Sequence, residues 1–313
     1  MWLIWRLLAA LVVLGALGFF LFAPAIAERG QNPVADHAPW PVSPAAAAMH
    51  ERLVIGDWHA DSLLWDRDLT LRASRGQVDL PRLVAGNVAL QVFTTVTKSP
   101  AGLNYERNAA DARDDITLLS IAQLRPFRSW LDLTERALEQ ARQLALAEEK
   151  APGALKIMRT RADLETVLER RAQGEKVVGG ILGAEGGHAL GGDLANLDRL
   201  YDAGFRLIGL THFFDNELGA SLHGEAGQGR GLTDFGRTVV ARMVAKHMII
   251  DLAHASPEMA QEVLDMVDVP VVVPHSRACP NVDDALRVDE ADASTECAFL
   301  DAFVHSPTLD AAR

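Results

Sequence analysis

The chain has 313 residues, 49% of them hydrophobic, and a formal net charge of −12 with acidic and basic residues interspersed. That length and composition suit one α/β barrel or two ordinary domains around a well-buried core, and they offer no basic patch to hold a nucleic acid. Two cysteines, Cys279 and Cys297, exclude a disulfide framework and form no Cys-x-x-Cys pattern, which leaves a single bridge open.

One positive charge precedes Leu7–Ala27, an uncharged apolar run about as long as a bilayer is thick. The run reads as a membrane anchor, and Ala25-Ile26-Ala27 also satisfies the small-x-small rule of a cleaved export signal. Either reading places the following residues outside the cytoplasm, facing the periplasm or exterior, because the positive charge stays inside. Residues 28–48, rich in Pro and Ala without periodicity, read as a linker, so the globular part is expected over 49–287.

From there short β-branched runs alternate with helical stretches. The runs are Leu53–Ile55, Val88–Thr95, Leu155–Met158, Val177–Leu182, Leu207–Leu210, Met248–Leu252 and Val269–Val273. Between them Asp111–Leu146, Arg161–Arg171, Leu194–Ala203, Asp234–Lys246 and Pro257–Met266 carry apolar residues at three- and four-residue spacing. Such alternation predicts a parallel sheet, and the length favours a (β/α)8 TIM-like barrel over a doubly wound sheet.

In such barrels chemistry sits at the carboxyl ends of strands. His59 and Asp61 follow the first run two residues apart, a spacing that on a strand puts imidazole and carboxylate on one face. Glu185 lies between glycines after Val177–Leu182, and His212, His254 and His275 close the next three runs. One such histidine is usually a structural hydrogen-bonder; several converging at one end of a barrel suit a dinuclear metal site. The residue types predict His59 and Asp61 on one ion, His254 and His275 on the other, and Glu185 as the bridge, its glycines allowing close approach. His212 stays outside the ligand set, suited to polarising a carbonyl or steadying an oxyanion. Phe213-Phe214-Asp215-Asn216 after it are the candidate pocket wall, although Phe pairs are more often core.

Gly56-Asp57-Trp58-His59-Ala60-Asp61, Asp79-Leu80-Pro81-Arg82-Leu83-Val84-Ala85-Gly86-Asn87, Ala184-Glu185-Gly186-Gly187-His188, Leu210-Thr211-His212, Asp251-Leu252-Ala253-His254-Ala255-Ser256 and Pro274-His275-Ser276 resemble the membrane (renal) dipeptidase family of zinc peptidases. The likeness covers about residues 50–287 in the family's own order. It implies a metal-dependent hydrolase barrel with two zinc ions, acting on dipeptides that include those with a D-residue or dehydro residue at the C-terminal position. It implies the same ligand split, with Glu185 and His212 catalytic, His212 contacting substrate, and a homodimer.

Two departures stand against the likeness. Pro280 occupies the place of the arginine that grips the substrate carboxylate in the family, which leaves Arg277 as its expected substitute. After Arg287 no apolar strand follows, so the barrel is expected to lack its last strand, an arrangement that leaves open edges. A truncated or frameshifted reading, a variant closed by oligomerisation and a degenerate protein are the competing explanations. A catalytically inactive metal-binding homologue is therefore the alternative to a working dipeptidase. An amidohydrolase acting on cyclic amides or acylated amino acids is disfavoured, since Asp61 stands where His-x-His is expected.

Overall fold

A computed structural model describes residues 1–34, 38–226 and 229–275. The chain divides into two compact units, residues 1–96 with 115–182, and residues 97–114 with the chain from 183 onward.

The first unit opens with the helix α1 (Trp2–Gln31), which runs past Ala27 rather than ending there. A second helix, α2 (Pro44–His50), occupies the end of the expected linker, with Ser43 accepting the Ala46 amide at 3.2 Å and Pro44 preset for the first turn. Next come β1 (Ile55–Ala60), α3 (Leu80–Ala85) and β2 (Val88–Val96). The strand β1 starts later than the apolar run predicts: Leu53 and Val54 are exposed, while Ile55, Gly56 and Asp57 pair in parallel with Val88, Leu90 and Gln91. The Asp79–Asn87 string serves as a brace. Asp79, fully buried, caps α3 through the Arg82 amide at 3.0 Å, and Asn87, in a left-handed turn at φ 56°, donates to the carbonyls of His50 and Leu53.

The single amphipathic stretch expected over Asp111–Leu146 is three helices: α4 (Asp115–Ala122), α5 (Arg128–Leu131) and α6 (Leu133–Lys150). Leu124 at φ 53° followed by Pro126 ends the first, and Asp132, accepting the Glu135 amide at 2.9 Å, starts the third. Then β3 (Leu155–Ile157), α7 (Arg161–Ala172, with a Thr160/Asp163 capping box) and β4 (Val178–Glu185) follow. Within this unit β2 lies between β1 and β4, and β3 pairs in parallel with β4.

The chain of β4 passes into the second unit at Gly183. That unit holds α8 (Leu194–Ala203), β5 (Phe205–Gly209), α9 (Asp234–Ala245), β6 (Ile249–Asp251), α10 (Pro257–Met266) and β7 (Val271–Val272). Three parallel strands, β5, β6 and β7, are paired in that order. Leu207, Ile208, Ile250, Val239, Val240 and Met243 are fully buried, so the helices cover the strands with aliphatic side chains and leave the strand ends to polar groups. Parallel strands alternating with helices are the α/β class the sequence predicts.

Candidate metal centre

In the second unit β4 ends on Glu185, which is 5% exposed. Gly186 turns the chain at φ 89°, and a Cβ there would meet His188 Nδ1 at 2.7 Å, so the turn after the carboxylate requires glycine. The Gly187 amide then donates to the Leu210 carbonyl at 3.2 Å, which holds the end of β4 beside the end of β5.

Past β6, the Asp251 carboxylate accepts the Ala253 amide at 2.7 Å and steers the chain into a left-handed turn at His254, φ 62°. The His254 carbonyl is fixed from two sides, by the Thr211 hydroxyl and the Leu222 amide, each at 2.8 Å. A bulky residue held at positive φ is an outlier that the surroundings must enforce. The enforced turn aims the ring at Glu185: His254 Nε2 lies 3.3 Å from Glu185 Oε1 and 3.1 Å from His275 Nε2, which is itself 2.9 Å from the same oxygen. His275 stands three residues beyond β7 and remains partly exposed.

His212 joins the group from the other side. Its Nδ1 lies 3.1 Å from the Lys98 carbonyl, which can only accept, so Nδ1 carries the proton and Nε2 keeps its lone pair in the neutral ring. That Nε2 is 3.4 Å from Glu185 Oε2. Burial pushes the His254 imidazole down to about pKa 3, opposed by its contact with Glu185, so this ring is neutral at pH 7. Imidazole nitrogens facing one another and a buried carboxylate form a donor set that suits a cation. The geometry agrees: tetrahedral bonds of about 2.0–2.1 Å put ligand atoms roughly 3.3 Å apart, close to the separations among Glu185, His254 and His275.

In the first unit His59 lies in β1 and Asp61 one residue beyond it, with His59 Nε2 and Asp61 Oδ1 3.3 Å apart. The predicted same-face placement therefore holds. Thr94 of β2, not singled out by sequence, donates its hydroxyl to Asp61 Oδ1 at 2.6 Å and lies 3.3 Å from His59 Nε2. A threonine inside an apolar strand carries no distinguishing signal of its own; only the register of β1 on β2 selects it.

Sequence reasoning also passed over His223, in the loop between β5 and α9. This buried ring donates from Nδ1 to the Tyr105 carbonyl at 2.6 Å, stacks on Phe213 at 4.8 Å and sits 5.3 Å from His254. The length of a loop leaving a strand's carboxyl end was the available signal. The two phenylalanines separate. Phe213 joins this aromatic group against His212 and His254, whereas Phe214 is fully buried under Lys98 and beside His188. Arg277, Cys279, Cys297 and the expected break in the barrel after Arg287 lie outside the described residues.

Residues 44–290 match the model of the membrane dipeptidase family, peptidase family M19. The chain belongs to that family. It is 28% identical over 213 residues to dipeptidase tcpJ of Claviceps purpurea (strain 20.1), covering 68% of this chain and 44% of that one. Among solved structures it resembles the metallopeptidase dipeptidase AC, with 27% identity, a TM-score of 0.52 and coverage of 72% of this chain and 63% of that one. It also resembles a metallopeptidase of Rhodobacter sphaeroides liganded with a phosphinate mimic of the dipeptide L-Ala-D-Ala, with 25% identity, a TM-score of 0.52 and coverage of 71% and 65%. The chain thus spans less than half of the curated relative and under two thirds of these two structures. These relatives bear out the fold class: α/β of the TIM-like barrel type, with seven strands among the described residues.

Proposed function

We propose that the chain is a metal-dependent dipeptidase acting outside the cytoplasm, carried to or held at the membrane by its N-terminal apolar helix. The observation that supports this most is the convergence of His254 and His275 on one oxygen of the buried Glu185, with His212 on the other. In this reading Glu185, His254 and His275 would hold one zinc ion, and His59 and Asp61 would serve a second. When bound, such ions lower the pKa of a shared water and polarise the peptide carbonyl.

The protein's own groups supply orientation and proton handling. His212, tethered through Nδ1 to the Lys98 carbonyl, presents Nε2 beside Glu185 and, once protonated, donates to the oxyanion that forms as the carbonyl is attacked. The proton shed by the attacking water passes to His212 Nε2 and from there to the leaving amine, while the buried Glu185 carboxylate keeps its charge beside that ring. Phe213 and its neighbours exclude water from one side. Arg277 is proposed to pair with the substrate's free carboxylate, which restricts the site to short peptides. The relative bound to an L-Ala-D-Ala mimic supports dipeptides, those with a C-terminal D-residue included.

The test is turnover of L-Ala-D-Ala by the purified full chain before chelation, after it, and after zinc is restored. Activity lost to chelator and regained with zinc is the expected result. Two equivalents of zinc bound without hydrolysis would instead identify an inactive metal-binding homologue.

A further inference from the structure

The helix α1 does not leave the first unit as a free tail. Residues 2–17 are exposed and strongly apolar, with Trp2, Trp5 and Arg6 at the start and the Arg6 guanidinium 3.3 Å over the Trp2 ring, the composition of a membrane interface. Its final third behaves differently. Gly18, Phe19, Ala23, Pro24, Ala25 and Ala27 are half-buried, the helix packs against α4, and Glu28 is 1% exposed. Arg75 Nε donates to Glu28 Oε2 at 2.7 Å, and Arg67 Nε lies 2.5 Å from Oε1 as an ion pair. Removing Glu28 would leave Arg67, 4% exposed, as an uncompensated buried charge, so the end of α1 is fastened to the fold.

The helix α4, against which α1 packs, and the chain from it through α5 carry apolar side chains that stay exposed. Leu118 of α4 is 54% exposed, Leu124 69%, Phe127 75% and Leu131 of α5 79%. Lone exposed leucines are ordinary, but four within fourteen residues, flanked by the exposed Arg128, are a patch. Because α1 packs against α4, the patch lies on the element beside α1, where an exposed apolar surface meets the same surroundings as the membrane helix.

Resting on the reading of α1 as a membrane segment, we propose that the α4–α5 edge dips into the outer surface of the lipid bilayer beside α1, which stays attached through Glu28. The unit would then lie on the membrane rather than swing from a tether.

The full chain, with Cys279 and Cys297 replaced by serine, can be labelled with an environment-sensitive fluorophore at Phe127→Cys, Leu131→Cys, Leu11→Cys in α1, or Leu168→Cys on α7. Each protein is reconstituted into phosphatidylcholine vesicles carrying a lipid-borne quencher. Fluorescence loss at 127 and 131 comparable to that at 11, with none at 168, is expected. Loss at 11 alone would keep α1 in the membrane and overturn the α4–α5 contact, as would cross-linking of 127 to 127 in a second copy without quenching. Absence of loss at 11, with an intact mass beginning at Glu28, would overturn both the contact and the reading of α1.

Discussion

The two units carry their candidate ligands in contrasting ways. In the second, one buried carboxylate, followed by a glycine turn, is met by three imidazoles, two of them aimed by backbone: His212 by the Lys98 carbonyl and His254 by a left-handed turn. In the first, His59 and Asp61 are two donors braced by one hydroxyl, and a third of the Asp61 side chain is exposed. Ligands aimed by backbone rearrange little, whereas a carboxylate one third exposed adapts more readily to what binds it. The difference predicts a tight ion in the second unit and a weaker, more replaceable one on the first.

Glu185→Gln tests this most severely. It keeps the shape and removes the charge, and dipeptide turnover should fall by roughly 10³-fold or more while both equivalents of zinc are lost, as read by metal analysis on protein with unchanged circular dichroism. Retained zinc in that variant would place the ions elsewhere. His254→Ala should lower zinc affinity by more than about 100-fold, measured against a chelator of known strength, because the enforced turn leaves no other side chain to replace the ring. Thr94→Val should loosen one ion by about 10- to 100-fold and spare the other, so that zinc titration resolves two separated steps; a single shared shift would erase the contrast between the units.

A smaller effect concerns stability. His188 is fully enclosed, neither ring nitrogen has a hydrogen-bond partner among the described residues, and burial pushes its pKa down to about 3. The unfolded chain, with an ordinary histidine near 6.5, therefore binds the proton more readily, so stability is full above about pH 6.5 and declines toward pH 3 by about 1.4 kcal/mol per pH unit. Denaturant melts of His188→Phe should lose that slope between pH 6 and 4. A Gly186→Ala substitution should cost about 2 kcal/mol through its positive φ, even at neutral pH.

Strand-end polar residues were legible because a short, nearly continuous apolar run stops visibly, and Glu185, His212, His254 and His275 each stand just past such a stop. The α8 and α10 boundaries were equally plain, since a cap residue precedes each apolar stripe: Asp193 for one, Ser256 for the other. The β1 limits were not, because Leu53 and Val54 look like strand but face solvent, while Asp57 and Ala60, through pairing with β2, carry the strand past His59. Thr94, His223 and the Lys98 carbonyl escaped for one reason. Their roles come from which strand or loop lies alongside, and a backbone oxygen has no letter in the sequence.

The two-residue strand β7 has a further consequence. Val271 and Val272 are only half-buried, and β6 is their sole pairing partner among the described strands, so little of their own packing keeps them in place. His275 follows three residues on, and 90 residues separate it from the Glu185 it contacts. In the proposed function, ligation there would act as a clasp across a long stretch of chain, tying the last described strand to the end of β4. Amide hydrogen exchange of residues 269–273 should therefore accelerate on chelation far more than exchange in β5, whose Leu207 and Ile208 are held by the core regardless.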